Sequence, residues 1–257
     1  MNVLGIFSTK GGVGKSTVSV NLAVSLSRFG RNVSLIDFKS GKPHLSHFFG
    51  NSDIPGLSEL SNGELDSEDV IYSYDPTLKV IPGGLNKINT LNLNTFDPFI
   101  KKLKNSSEVV ILDMPNYHSS IYDQIIEYVD YALIVSNLNK TSLNNSLNIV
   151  NELREKVTFL GTIINNNTNK RLDISKLDED YNILLKIPYN KKFEASYDDG
   201  IPFVEKYYDH DISYDFKEFS AELIGEEYSV KRNISIKRLF DRLIGKIWLF
   251  YNIFVIL

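Results

Sequence analysis

The residues best suited to chemistry are crowded into one short segment near the start of the chain. The segment reads Lys10, Gly11, Gly12, Val13, Gly14, Lys15, Ser16 and Thr17. Its glycines carry no Cβ, so the backbone can curl and turn its N–H groups inward, where they form a cavity that binds anions. Lys15 offers a positive charge to phosphate, and the Ser16 hydroxyl can coordinate Mg²⁺. The spacing therefore predicts a phosphate-binding turn, with a glycine turn that binds nothing as the alternative.

Two carboxylates end apolar segments that predict buried strands. Asp37 closes the segment that begins at Asn32, and Asp113 closes the one that begins at Glu108. Ligands of open α/β sheets bind beyond the carboxyl ends of the strands, so we expect Asp37 to point toward the phosphate turn. It is a candidate for the magnesium shell or for orienting water; alternatively, it caps a helix or a turn.

The elements that must position these groups alternate between strand and helix. Predicted strands cover residues 3–7, 32–37, 108–113, 131–136 and 159–165. Predicted helices follow the phosphate turn as far as Gly30 and cover residues 121–128 and 139–151. This alternation predicts an α/β fold with a mainly parallel central sheet and right-handed crossovers. We interpret residues 61–75, which are acidic and polar, as a solvated surface helix and loop.

The composition limits the classes of function. At 257 residues, the chain can bury the core of one α/β domain of ordinary size. Its formal net charge is −4, so no overall basicity suggests nucleic acid as a partner. It has no cysteine, which excludes disulfides and thiolate metal sites.

The turn resembles the deviant Walker A loop of the MinD/ParA family of ATPases. Lys10 precedes the two glycines, and Thr9 stands where the general phosphate-loop pattern has glycine. The resemblance covers about residues 1–228 and implies a P-loop NTPase of the SIMIBI-like class, a three-layer α/β sandwich. It also implies ATP and Mg²⁺ as cofactors. The counterpart of Lys10 in the family reaches the ATP of a second subunit, so an ATP-dependent homodimer is expected.

The same resemblance assigns roles to residues outside the turn. Asp113 is similar to the Walker B aspartate, which holds Mg²⁺ through water, and Ser16 and Asp37 complete the expected metal set. Asn165 and Pro188 stand where the family places the adenine base, and a side-chain amide suits a purine edge. Lys10, Lys15 and Asp37 are the expected catalytic groups.

Lys39 departs from the family pattern at an important position. Most relatives carry a second carboxylate there, which supports attack by water on the phosphate. A charged lysine cannot accept a proton, although it can stabilise phosphate charge. We therefore expect ATP binding together with slow or absent hydrolysis, unless another group carries the reaction.

Residues 229–257 differ from the rest and are treated as a separate C-terminal segment. Its basic residues are Lys231, Arg232, Lys237, Arg238, Arg242 and Lys246. Apolar residues at offsets of three and four predict one face of an amphipathic helix: Ile236, Leu239, Phe240, Leu243, Ile244, Ile247 and Trp248. The apolar run is too short to span a membrane. A helix lying on an anionic membrane surface fits best, and a helix docked on the protein's own core is the alternative.

These features lead to the hypothesis of a MinD-like ATPase that acts as a positional switch in cell division or in placing a surface structure. We expect a cytoplasmic protein, peripheral on the inner face of the membrane and regulated by an unidentified activating protein. No signal peptide is expected, because the first predicted strand enters the turn at once. Three alternatives stay open: a ParA-like DNA-partitioning ATPase, a tyrosine-kinase-like enzyme and a pseudo-ATPase adaptor.

Overall fold

The architecture comes from a computed structural model that describes most of the chain. The described residues are 3–8, 10–39, 45–51, 54–117, 119–138, 140–167 and 181–228. The predicted amphipathic segment 229–257 lies outside them, as do Thr9 and the centre of the expected first switch, residues 40–44.

Strands and helices alternate along most of the chain, as the sequence predicts. The strands are β1 Val3–Phe7, β2 Val33–Asp37, β3 Tyr72–Asp75, β4 Leu78–Ile81, β5 Val109–Asp113, β6 Tyr131–Asn137, β7 Thr158–Asn167 and β8 Ile183–Pro188. The helices are α1 Lys15–Arg28, α2 Leu57–Ser61, α3 Leu93–Ser106, α4 Tyr122–Ile126, α5 Lys140–Leu153, α6 Lys192–Asp198, α7 Phe203–Lys206 and α8 Asp211–Leu223. A short 3₁₀ helix covers Ser46–Phe49.

The eight strands form one sheet in the order β3-β4-β2-β5-β1-β6-β7-β8. Every neighbouring pair is parallel except β3 and β4. One apolar core packs α1, α7 and α8 on one face of the sheet, and a second packs α3, α4 and α5 on the other. The predicted three-layer α/β sandwich with a mainly parallel sheet is confirmed.

The prediction of a surface helix and loop for residues 61–75 is partly wrong. They end in β3, an antiparallel edge strand that contains two tyrosines, a residue type that favours strands. The Asp75 carboxylate accepts hydrogen bonds from the backbone N–H groups of Thr77 and Leu78, which closes a tight turn into β4. An edge strand keeps one side in solvent, so its polar composition resembles that of a loop.

Two helices also differ from expectation. α3 was not predicted, although its apolar residues Phe96, Phe99, Ile100 and Leu103 are buried at helical spacing. α4 is shorter than the predicted helix 121–128, because a turn follows Ile126. Within the described part of the chain, no helix has the length and apolar character needed to cross a membrane.

Candidate nucleotide-binding site

The glycine turn connects the carboxyl end of β1 to the first residue of α1. Gly14 precedes α1 with a φ of 91°, a left-handed conformation that favours glycine. A Cβ on Gly14 would lie 2.0 Å from Asn165 Nδ2, so a side chain there would also collide with β7. The turn therefore needs glycine at this position for both backbone conformation and space.

Lys15, Ser16 and Asp113 form a buried cluster under the turn. Lys15 Nζ lies 2.6 Å from Asp113 Oδ1, and Ser16 Oγ donates to Asp113 Oδ2 at 2.5 Å. Ser19, one helical turn along α1, adds a hydrogen bond from its hydroxyl to Asp113 Oδ1 at 3.0 Å. The first turn of α1 and the end of β5 thus meet at one carboxylate.

Burial and charge shape the protonation of this cluster. Burial lowers the pKa of Lys15, and the positive charge of Lys39 acts in the same direction, while Asp113 opposes both. Burial alone would raise the pKa of Asp113, but the charges of Lys15 and Lys39 and the hydrogen bonds it accepts hold it below its usual range. We therefore treat Asp113 as ionised and paired with Lys15.

Asp37 lies beside Asp113, because the two residues are paired in the register of β2 and β5. Its carboxylate accepts hydrogen bonds from the backbone N–H groups of Lys39, at 2.8 Å, and Leu45, at 3.2 Å. Burial, reinforced by the negative charge of Asp113, raises the pKa of Asp37 to about 7. Asp37 therefore ties down the chain on both sides of residues 40–44.

Lys39 enters the cluster from the segment that follows β2. Its Nζ donates a hydrogen bond to Ser16 Oγ at 2.8 Å. The sequence places Lys39 near phosphate charge but offers no signal for this contact, since 23 residues separate the two partners. The proximity follows from the parallel arrangement of β1, β5 and β2.

A cavity of about 570 Å³ opens above the cluster. The glycine turn and the side chains of Lys15, Ser16 and Lys39 line it. Aromatic and amide side chains also line it: Phe48, Asn116, Asn165, Asn166, Tyr189, Asn190, Phe193 and Tyr197. A cavity lined by both cationic and aromatic side chains suits a ligand that carries both phosphate and a planar base.

The predicted base-binding residues occupy different positions relative to the cavity. Asn165 lines it, but its Nδ2 donates to the Val13 carbonyl at 2.8 Å and so supports the turn. Pro188 ends β8 next to Tyr189, which lines the cavity, whereas Pro188 does not. The position of Phe193 and Tyr197 in the cavity lining was not predicted, because nothing in their local pattern distinguishes them from other residues of α6.

The remaining residues of the turn take different positions relative to the cavity. Lys10 is exposed and lines the cavity, while Val13 is buried in the core. Thr17 lies in the first turn of α1 and also lines the cavity. Of the two lysines in the turn, Lys10 is therefore the exposed one and Lys15 the buried one.

The donor set can be compared with what Mg²⁺ needs. Ser16 Oγ and the carboxylates of Asp113 and Asp37 are hard oxygen ligands of the kind that Mg²⁺ prefers. Among the described residues, no group of three histidine, cysteine or acidic side chains could by itself hold a metal ion. Lys39 Nζ already contacts Ser16 Oγ at 2.8 Å, so a metal ion at this hydroxyl would lie against an ammonium group.

Comparison with known proteins gives a consistent picture. Residues 4–203 match the family described as the CobQ/CobB/MinD/ParA nucleotide binding domain. An uncharacterized ATP-binding protein of Methanocaldococcus jannaschii is 26% identical over 255 residues, which cover 95% of this chain and 97% of that protein.

Solved structures of similar proteins share the fold. MinD of Pyrococcus horikoshii, complexed with Mg-ADP, is 24% identical with a TM-score of 0.76, covering 91% of this chain and 99% of that one. A chain of the MinC:MinD complex of Aquifex aeolicus is 22% identical with a TM-score of 0.77, covering 90% and 99%.

Proposed function

This chain belongs to the CobQ/CobB/MinD/ParA nucleotide-binding domain family, and from that premise we propose that it is an ATP-dependent switch of the MinD type. In this proposal bound ATP holds two copies together, and the dimer stays on an anionic membrane through residues 229–257. Loss of the γ-phosphate separates the copies and releases them. The switch would act in cell division or in spatial positioning, under an activating protein.

The observation that carries the proposal is the meeting of Lys15 and Ser16 with Asp113 beneath the cavity. Lys15 is buried and paired with a carboxylate, so an incoming phosphate would compete for a cation that is already in position. The Mg-ADP bound by the P. horikoshii relative supports the same ligand class here.

Dimerisation is supported by the position of Lys10. This lysine is exposed at the cavity, whereas Lys15 is buried beneath it. Because its ammonium group is accessible from outside the site, Lys10 could contact the nucleotide bound by a second copy of the chain. Two weak membrane anchors on one dimer would then bind together through avidity, while one alone would bind marginally.

The membrane step is supported by where the described chain ends. The ring of Tyr228, the last described residue, packs on Phe29 with centroids 5.4 Å apart. Phe29 follows the end of α1, and α1 starts at the phosphate turn, so Tyr228 lies about 20 Å along α1 from the site. Tyr228, which directly precedes the proposed membrane segment, therefore lies away from the glycine turn and from Lys10.

Hydrolysis is expected to be slow. Lys39 occupies the position at which the family resemblance implies a second carboxylate, and a lysine that carries a charge cannot take a proton from water. Its ammonium is engaged with Ser16 Oγ at 2.8 Å. We therefore propose that binding, rather than rapid turnover, sets the state of the switch.

Replacing Lys15 with alanine tests the nucleotide step. The Lys15→Ala variant should bind a slowly hydrolysed ATP analogue about tenfold to one-hundredfold more weakly, as expected for loss of a charged hydrogen bond. It should also stay monomeric with ATP in light scattering. The control is Lys101→Ala, which removes an exposed lysine from α3. Dimerisation of Lys15→Ala equal to that of the control would refute the assignment.

DNA partitioning is the second candidate, because the family description also names ParA. The formal net charge of −4 gives no general support for a DNA-binding surface. ATP-dependent binding to plasmid DNA by a chain truncated after Tyr228 would favour this candidate. Failure to bind DNA, with ATP-dependent sedimentation of the full chain on anionic vesicles, would favour the membrane switch.

A further inference from the structure

Lys39 places an ammonium group on the Ser16 hydroxyl, which the family resemblance assigns to magnesium. Lys39 Nζ lies 2.8 Å from Ser16 Oγ, and Ser16 Oγ donates its own hydrogen to Asp113 Oδ2 at 2.5 Å. A metal ion that approached this hydroxyl would meet a positive charge already in contact with it. The ammonium and the metal therefore compete for one position.

The backbone of Lys39 is anchored by a hydrogen bond to Asp37, which limits the positions that its ammonium group can take. The backbone N–H of Lys39 donates to Asp37 Oδ1 at 2.8 Å, and Asp37 is buried. The other carboxylate oxygen of Asp37 accepts the N–H of Leu45 at 3.2 Å. The carboxylate that would orient a metal or water instead holds the backbone that carries a lysine.

Positive and negative side chains both lie at the floor of the cavity, which is formed by Lys15, Lys39, Asp37 and Asp113. Lys15 Nζ lies 2.6 Å from Asp113 Oδ1, and Lys39 is anchored to Asp37 through its backbone N–H, so two lysines share the floor with two carboxyl groups. The floor is thus less acidic than a site with a third carboxylate at position 39 would be. Such a floor attracts a polyphosphate strongly and a free divalent cation weakly.

We propose that the Lys39 ammonium serves as a tethered cation in the magnesium position, so that this chain binds nucleoside polyphosphates without a divalent metal. The inference rests on the proposed nucleotide site and specifies its cofactor requirement. Its ligand class is a nucleoside di- or triphosphate whose terminal oxygens contact Lys15 and Lys39. The same charge would weaken the binding of Mg²⁺ at Ser16.

The test measures affinity for a fluorescent, slowly hydrolysed ATP analogue in the full chain, once with Mg²⁺ and once with EDTA. Wild type should lose less than about tenfold in affinity when the metal is removed, a difference below about 1.4 kcal/mol. Lys39→Met keeps the length of the side chain and removes its charge, so it should lose more than about tenfold in EDTA. Lys39→Asp should bind with Mg²⁺ and lose still more in EDTA.

A second readout follows the metal itself. Mn²⁺ added in place of Mg²⁺ gives an electron paramagnetic resonance signal that distinguishes free ion from ion bound at the protein–nucleotide complex. Wild type should retain less Mn²⁺ than Lys39→Asp at equal nucleotide occupancy. Circular dichroism and the melting temperature of each variant establish that it is folded.

The outcomes separate the inference from the proposed function. Binding by wild type only in the presence of Mg²⁺, with Lys39→Met behaving in the same way, would overturn the tethered cation and leave the nucleotide site intact. No binding by wild type or either variant, with or without metal, would overturn the nucleotide site and the inference together. Metal-independent binding that Lys39→Met abolishes would support both.

Discussion

At the scale of single residues, Asp113 links the groups that the site depends on. It accepts hydrogen bonds from Lys15, Ser16 and Ser19 and is fully buried. Removing the carboxylate would leave the buried ammonium of Lys15 desolvated and without a countercharge. Such a change strongly lowers the free energy of unfolding. Asp113 therefore stabilises the empty site as well as preparing it for a ligand.

The Asp113→Asn variant should lose about 3–5 kcal/mol of unfolding free energy, because it leaves Lys15 buried without a countercharge. Urea unfolding followed by circular dichroism measures the change. The matched control is Glu68→Gln, which removes an exposed carboxylate paired with Lys102 and should cost less than about 1 kcal/mol. Equal losses in the two variants would show that Asp113 has no special structural role.

At the scale of elements, Glu59 organises the junction between α2 and the loop after β4. Its carboxylate accepts hydrogen bonds from Gly56 N at 2.7 Å, Ser58 Oγ at 2.7 Å and Leu85 N at 3.1 Å, and Asn86 adds two more. Five-residue α2 cannot be stable alone, so this side chain supplies contacts that the short helix lacks.

The Glu59 carboxylate gives a pH-dependent prediction. Burial acts to raise the pKa of Glu59, but the hydrogen bonds from Ser58, Gly56 and Leu85 outweigh it and lower this pKa below its ordinary value of 4.5. The stability from Glu59 is therefore complete above pH 4.5 and lost as the pH falls below it through the lowered pKa.

Unfolding free energies measured from pH 7 down to pH 3 test this sign. Glu59→Gln should be less stable than wild type by about 1–3 kcal/mol at pH 7, and the gap should narrow as the pH falls below 4.5. Glu64→Gln, an exposed control close by in the chain, should follow wild type throughout. A gap that stays constant with pH would contradict the charged role of Glu59.

At the scale of the whole molecule, the end of the described chain is fastened far from the cavity. Arg31 binds Glu226 at 2.5 Å and Glu108 at 2.8 Å, and these bonds raise the pKa of Arg31. Together with the packing of Tyr228 on Phe29, they hold the chain against the end of α1. Tyr228, which directly precedes the proposed membrane segment, is therefore held away from the cavity.

Truncation after Tyr228 keeps this packing and removes residues 229–257. The truncated chain should bind the ATP analogue as wild type does but should no longer sediment with anionic vesicles, since each basic residue near the surface contributes about 1 kcal/mol. Continued sedimentation of the truncated chain would show that another surface binds lipid.

A charge-reversed full chain is the matched control for the truncation. Lys237→Glu combined with Arg238→Glu keeps the chain length and the apolar residues, so it isolates the electrostatic part of the attraction. Its sedimentation should weaken on anionic vesicles and respond less to added salt. Unchanged binding of this variant would assign the attachment to apolar contacts alone.

The order of elements was largely predictable from sequence because buried parallel strands leave continuous apolar runs. Such runs coincide with β1, β2, β5, β6 and β7. The predicted bounds of these strands differ from the observed ones by at most two residues. β3 was missed because an edge strand is half solvated, and α3 was missed although its buried face has helical spacing.

By itself, the sequence determined the phosphate turn, the sheet-forming pattern and the family resemblance, because these depend on residues that are neighbours in the chain. Only the tertiary structure decided that Asp37 lies in register with Asp113 and that Lys39 reaches Ser16. It also placed Asn165 Nδ2 on the Val13 carbonyl, across 152 residues. Such contacts follow from strand order, and strand order is set by packing of the whole sheet rather than by any local pattern.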